Sequence, residues 1–143
     1  MISHPTGYIV AFDFGLRHIG VAIGQTVTVS AQGVSTIRAR TGKPEWRAIE
    51  KIMQEYAPQL AVVGLPLNMD GTSSPMAKKA ETFAKQLAKR CKLEVVLHDE
   101  RLSTRDAQST FAEAKAMGKA HTDHELAACL ILESWLHENV SAH

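Results

Sequence analysis

The chain of 143 residues has little cysteine, no long apolar run and no excess of one charge. Its two cysteines, Cys91 and Cys129, exclude a disulfide-stapled scaffold and leave a reducing, cytoplasmic setting as the expectation. No apolar stretch approaches the ~20 residues that a membrane span needs, so no membrane partner is expected. Residues 1–7 lack the charged, apolar and small-residue regions of a secretory signal. Repeats, low-complexity tracts and linkers are absent as well. What is present is an ordinary globular composition, 45% apolar and 22% charged, which excludes disorder. The length fits one domain over residues 1–143, large enough to bury about 70% of its unfolded surface.

The balance of 16 Lys+Arg against 15 Asp+Glu hides an asymmetry. Residues 78–92 carry Lys78, Lys79, Lys85, Lys89, Arg90 and Lys92 against the single acid Glu81, a net +5, so the rest of the chain sums to −4. Such a basic face is either a solvated helix surface or a contact for a polyanion.

Hydrophobic patterning places the elements. Tyr8 to Asp13 reads as a buried strand ending on an acid, Ile19 to Ile23 as a second strand, and a third lies within Val27 to Ile37. Pro44 opens a helix through Tyr56, with Trp46, Ile49, Ile52 and Met53 on one stripe. Leu60 to Leu65 is a fourth strand, a helix runs from Pro75 to Arg90, and Leu93 to His98 is a fifth strand. Ser103 to Asp106 and Thr122 to Glu125 resemble helix starts, the latter with a capping-box pattern. The last helix carries Leu126, Ala127, Leu130, Ile131 and Trp135. This order predicts an α/β fold, a five-stranded mixed sheet with helices on both faces and Val62 and Val63 buried at its centre. The loops after the parallel strands then gather at one sheet edge, where such sheets place ligands.

The acids carry the chemistry. Asp13 ends a buried strand, Glu100 follows another, and Asp123 sits at a helix start. Each has a bland alternative: Asp13 as a turn cap, Asp123 as a partner of the positive helix end, and one of Asp99 and Glu100 as a solvated or ion-paired group, because alternation aims the two apart. Brought together at one edge, three carboxylates would repel unless a divalent cation intervened, and oxygen ligands favour Mg²⁺ or Mn²⁺ over zinc. Two such ions activate water and stabilise a leaving oxygen in phosphodiester cleavage. Zinc finds no suitable spacing among His98, His121, His124, Cys91 and Cys129, and Cys129 reads as core.

Asp13, Gly15 and Gly20 form D-x-G-x-x-x-x-G across a tight hairpin. Similar spacing occurs in actin-like ATPases and in ribonuclease H-like nucleases; the ATPases clasp a nucleotide between two domains, and this length has room for one. The segments Ala11 to Gly15 with Ile19 to Ala22, Val63 to Thr72 and His98 to Thr104 resemble the YqgF family, bacterial ribonuclease H-like proteins related to the RuvC resolvases. The likeness runs from Ile9 to about Leu136. It implies a ribonuclease H-like fold and a metal-dependent nuclease that acts in 5′-end maturation of pre-16S rRNA, with pre-rRNA or ribosomal precursor particles as partners. The alternatives are cleavage of branched four-way DNA junctions and a non-catalytic rRNA-binding assembly role.

Carried over residue by residue, the resemblance makes Asp13 and Glu100 catalytic metal ligands. Arg101 becomes a phosphate contact or an ion pair that holds the strand end. Asn68, Asp70 and Thr72 either frame the substrate or make ordinary turn bonds. The third acid departs from the pattern: alignment through Ala127 and Ala128 puts it at position 124, which is His124, while the acid stands one residue earlier as Asp123. Asp123 is the preferred third ligand, with His124 as the alternative. Lys119 stands for the family's lysine. Lys78, Lys79, Lys85 and Lys89 are the remaining candidate nucleic-acid contacts.

Overall fold

The computed structural model describes residues 7–27, 30–103 and 118–139. Strand β1 (Tyr8–Asp13) pairs antiparallel with β2 (His18–Gln25), which pairs antiparallel with β3 (Ser30–Arg40). A two-residue strand β4 (Lys43–Pro44) turns back on the end of β3. Helix α1 (Trp46–Tyr56), strand β5 (Leu60–Leu65), helix α2 (Pro75–Cys91) and strand β6 (Val95–Asp99) follow. A short 3₁₀ turn covers Glu100–Ser103, and helix α3 (Asp123–Asn139) closes the described part. The sheet order is β4-β3-β2-β1-β5-β6, with β1, β5 and β6 parallel. No helix among the described residues is long and apolar enough to cross a membrane.

The mixed sheet is as expected, with one strand more. The extra strand is β4, and it corrects the expected helix start at Pro44. Pro44 pairs opposite Ala39 at the sheet edge, where a residue without an N–H loses nothing. Glu45 is then the N-cap and Trp46 the first helical residue. The third strand also runs past Ile37 to Arg40, because pairing with β4 extends it where apolar alternation has ended. The fifth expected strand begins at Val95 rather than Leu93, since the left-handed Lys92 cap of α2 uses the preceding residues to leave the helix. Residues 104–106 of the expected helix start lie outside the described residues.

Two apolar layers sandwich the sheet. Val10, Phe12, Val21, Ile37 and Val63 face α1 and α2, where they meet Ile49, Phe83 and Leu87. Ile9, Ala11, Ala22 and Val62 face α3, where they meet Cys129, Ile131, Leu132 and Leu136. Val62 and Val63 are both fully buried, one on each face, as both-face coverage requires. The α3 face of β2 reads Gly20, Ala22, Gly24, a row of small residues that lets the helix lie directly on the strand. A Cβ at Gly20 would stand 1.8 Å from the His124 carbonyl oxygen.

Helix α3 is fastened at its start by polar bonds as well. Thr122 Oγ1 accepts from Glu125 N–H at 3.0 Å and shares a hydrogen bond with Thr36 Oγ1 at 2.7 Å. The buried Glu125 carboxylate accepts from His121 N–H at 2.9 Å, one residue before the position a standard capping box would use. Helix α2 is capped by Ser74, whose Oγ accepts from Ala77 N–H while donating to the Pro66 carbonyl.

Gly20→Ala therefore forces backbone apart rather than side chains. The expected loss is about 3 kcal/mol or more, above the usual cost of one added methyl group, measured by urea denaturation. Wild-type stability in this variant would show that α3 does not rest on Gly20.

Candidate active site

Asp13 is the last residue of β1, opposite Gly20 of β2, and shares its sheet face with Ala11 and Ile9, the face that α3 covers. Burial there pushes its carboxyl pKa up to about 6. Glu100 stands one residue beyond β6, two strands away, with β5 between. The residue of β5 that lies below it is Gly64. A Cβ at Gly64 would lie 2.8 Å from both Cγ and Oε2 of Glu100 and 2.5 Å from Ile131 Cδ1. The missing side chain makes the space that the Glu100 carboxylate enters. Glu100 is raised to about 7, first by burial, then by the negative charge of Asp13 and then by that of Asp99. The two carboxylates thus stand close enough for the charge of Asp13 to make the ionisation of Glu100 harder.

Asp99 takes the opposite role, as strand alternation requires. Its carboxylate accepts from Arg101 Nε and Nη2, the latter at 2.6 Å, and these bonds hold its pKa below the usual carboxylate range. Arg101 uses its remaining arm, Nη1, on the Met69 carbonyl at 3.0 Å. The guanidinium fork therefore ties the end of β6 to the 66–74 loop. In that loop Asp70 Oδ1 accepts from both N–H and Oγ1 of Thr72, and Asn68 Nδ2 donates to Thr72 Oγ1. Those three side chains close the turn on itself.

The third corner belongs to the start of α3. The His124 ring stacks on the His18 ring, centroids 4.8 Å apart and 23° from parallel. His18 lies two residues before Gly20, the partner of Asp13, so it projects from the same face of β2. Asp123, the first residue of α3, is exposed. Among the described residues no three His, Cys, Asp or Glu side chains are grouped to hold one metal ion. The pair Asp13 and Glu100 alone nonetheless suits a hard cation. Mg²⁺ is commonly held by one or two carboxylates, with waters and substrate phosphate completing its shell. Two buried carboxylates that repel each other are the groups such an ion would stabilise.

Of the other candidates, Lys119 is ion-paired with Glu133, and Lys78, Lys79, Lys85 and Lys89 are exposed along α2, on the sheet face opposite α3. Cys129 is fully buried and its thiol is pushed up to about 12, as suits a core residue. Sequence reasoning missed His18, Gly20 as a packing contact, and Gly64. The signal for the first two was available: alternation from Asp13 across the hairpin puts both on one face.

Comparison with known proteins shows the family and supports the fold. The model of the RuvX family, described as Holliday junction resolvase, matches residues 7–138. A protein of Sodalis glossinidius named "Putative pre-16S rRNA nuclease" is 47% identical over 92% of this chain and 95% of its own. One of the same name from Cronobacter sakazakii is 45% identical over 94% and 99%. Among solved structures, Thermus thermophilus RuvC in complex with a Holliday junction substrate superposes with a TM-score of 0.64 at 9% identity, covering 92% of this chain and 94% of that one. The fowlpox virus Holliday junction resolvase gives 0.54 at 15% identity, covering 92% and 99%. At such identities these two structures support the fold.

Raised carboxyl pKa values set a pH dependence. In the metal-free protein both groups fold most comfortably protonated, so their contribution is fully present below about pH 4 and is lost as pH rises through about 6 to 7. Asp13→Asn should stabilise the metal-free protein at pH 8 by roughly 1–3 kcal/mol and do little at pH 4. Thermal melts in EDTA check this. Millimolar Mg²⁺ or Mn²⁺ should raise the melting temperature of the wild type but not of Asp13→Asn.

Proposed function

The chain belongs to the RuvX family, and from that premise we propose that it is a divalent-metal-dependent nuclease that hydrolyses phosphodiester bonds in pre-16S rRNA, at the 5′ end of the mature molecule. The observation that carries this reading is the pair of buried, mutually repelling carboxylates at the ends of β1 and β6. A structural acid is stabilised by local donors, as Asp70 and Asp99 are here. Asp13 and Glu100 are held where burial makes their negative charge costly, which is how a cation site is built.

Asp13 and Glu100 would hold the cation, Mg²⁺ or Mn²⁺. Bound there, it would supply Lewis-acid polarisation of a phosphoryl oxygen and a water of lowered pKa. The third position belongs to the start of α3, where Asp123 and His124 are the candidates. Half-buried His124 stacks on His18, and its backbone lies over Gly20, the partner of Asp13, whereas exposed Asp123 needs a turn of the first helical residue to reach inward. Arg101 positions rather than binds: through Asp99 and Met69 it fixes the 66–74 loop against the strand that carries Glu100. Lys78, Lys79, Lys85 and Lys89 offer exposed charge for flanking RNA on the far face of the sheet.

The family's description favours a second substrate, the four-way DNA junction. One assay separates the two. Purified protein is incubated with a precursor carrying the 5′ extension of 16S rRNA and, separately, with a four-way junction, each with Mn²⁺ and with EDTA. RNA cleavage should be metal-dependent and should fall at least about 100-fold in Asp13→Asn and Glu100→Gln, since each removes a metal ligand. Cleavage of the junction alone would reassign the substrate. Equal RNA cleavage by wild type and folded Asp13→Asn would end the catalytic reading. His124→Ala and Asp123→Asn, assayed in parallel, identify the third ligand as whichever change costs more.

A further inference from the structure

Besides the lysine-rich helix α2, the described chain has a second basic surface, the edge formed by the β1–β2 turn and the β3–β4 hairpin. Arg17, Arg38 and Arg40 line one depression with His18, the residue that stacks on His124. Arg38 and Arg40 continue into a second depression with Lys43 and Pro44. Lys43 and Pro44 in turn form one wall of a pocket of about 530 Å³ on the other face of the sheet. Each hollow shares residues with the next, so the three form one path around the sheet edge.

All four basic residues are exposed, and none is ion-paired with a described carboxylate. Glu45 is the single acid that lines the path. Arg38 lies opposite His18, and Arg40 opposite Lys43. The two turns are joined by backbone bonds, Ala39 N–H to the Arg17 carbonyl at 2.8 Å and Gly42 N–H to the Leu16 carbonyl at 2.9 Å. Gly42, at φ 82°, adopts the left-handed conformation this turn needs. The backbone positions that carry the charges are thereby fixed relative to one another.

The pocket at the end of the path has an apolar floor of Phe14, Trp46 and Phe83 and a rim of Lys43, Lys79 and Gln86. Phe14 follows Asp13 directly and points to the opposite sheet face, so pocket and carboxylates flank the same turn. An apolar floor with amide, hydroxyl and ammonium groups at its rim suits a flat heterocycle that carries a phosphate. The volume lies within the range of small-molecule pockets. A base that is paired and stacked in a duplex cannot enter it, whereas an unpaired one can.

We infer that this edge is a binding track for single-stranded nucleic acid, with phosphates on Arg17, Arg38, Arg40 and Lys43 and one unpaired base in the pocket behind the β3–β4 hairpin. The inference deepens the nuclease reading and rests on it for the strand's origin at Asp13. The binding itself needs no metal and no turnover.

The test is fluorescence anisotropy in EDTA with a labelled ten-nucleotide single-stranded RNA and with the same RNA as a duplex. The single strand should bind more tightly. Arg40→Glu and Lys43→Glu should weaken it about tenfold, and Arg40→Ala should lower the slope of log affinity against log salt by about 0.7, one phosphate contact. Thr82→Trp and Gln86→Trp fill the pocket from the exposed side of α2. Each should weaken the single strand about fivefold and leave the duplex unchanged, with unaltered circular-dichroism melts. Lys51→Glu on α1, off the path, should change binding less than twofold. Unaltered single-strand affinity in both tryptophan variants would overturn the base pocket. So would competition by adenosine monophosphate at the affinity of the whole strand, which would make it a free-nucleotide site. Cleavage is not read in this assay, so loss of the nuclease reading through failed turnover and loss of the track through failed binding are separate results.

Discussion

The contact of α3 with β2 determines most of what is chemically unusual in this molecule. A helix over a sheet normally rests on side chains. Here the backbone of His124 comes down to the backbone of Gly20, and Ala22 and Gly24 continue the approach along the strand. That closeness places the first turn of α3 beside Asp13, which is paired to Gly20. It also covers Asp13, and this covering rather than any neighbouring charge raises its pKa. Gly64 does for Glu100 what Gly20 does for the helix: a side chain withheld from the sheet leaves room for a carboxylate above it. Electrostatics at the site therefore follow from packing, and packing follows from where glycine interrupts a β-branched pattern.

The four acids near this edge fall into two physical classes. Asp70 and Asp99 accept strong local hydrogen bonds, and their pKa values fall. Burial raises the pKa of Asp13, and burial followed by the negative charges of Asp13 and Asp99 raises that of Glu100. Adjacent residues 99 and 100 lie in different classes because the strand end sends their side chains to opposite sides. Arg101 holds Asp99 and the Met69 carbonyl together, so the last residue of β6 stabilises the loop while the next, Glu100, turns to the other side. A fold that keeps two charged groups in such a state sacrifices stability locally, and a bound cation is the interaction that returns it.

How much of this was legible in sequence varies with the physics involved. The order of the five main strands was readable because each is a short apolar run bounded by Gly, Pro or charge, and the convergence of Asp13 and Glu100 followed from parallel topology. The strand β4 was not, since two residues carry no periodicity and Pro44 beside Trp46 reads equally well as a helix start. The separation of Asp99 from Glu100 followed from alternation. The surroundings of Arg101 did not, because the Met69 carbonyl that engages it lies 32 residues away. His18 escaped notice because an exposed histidine in a turn is unremarkable until a second ring, 106 residues later in the chain, is stacked against it.

The distribution of charge bears on how a nearly neutral chain engages a polyanion. Counting along the sequence picks out α2, where lysines accumulate in one stretch. Counting in space also picks out Arg17, Arg38, Arg40 and Lys43, which lie up to 26 residues apart in the chain and meet because antiparallel pairing of β2 and β3 brings the β1–β2 turn and the β3–β4 hairpin to one end of the sheet. Arginine's rigid fork on short, hydrogen-bonded turns loses less freedom on meeting a phosphate than a lysine at the end of a mobile stem on a helix. The two basic surfaces therefore differ in kind: α2 offers diffuse attraction, whereas the hairpin edge offers fixed positions that begin at the carboxylates. Only a surface of the second kind can impose a register on a strand, and register is what a nuclease needs to cut at one bond.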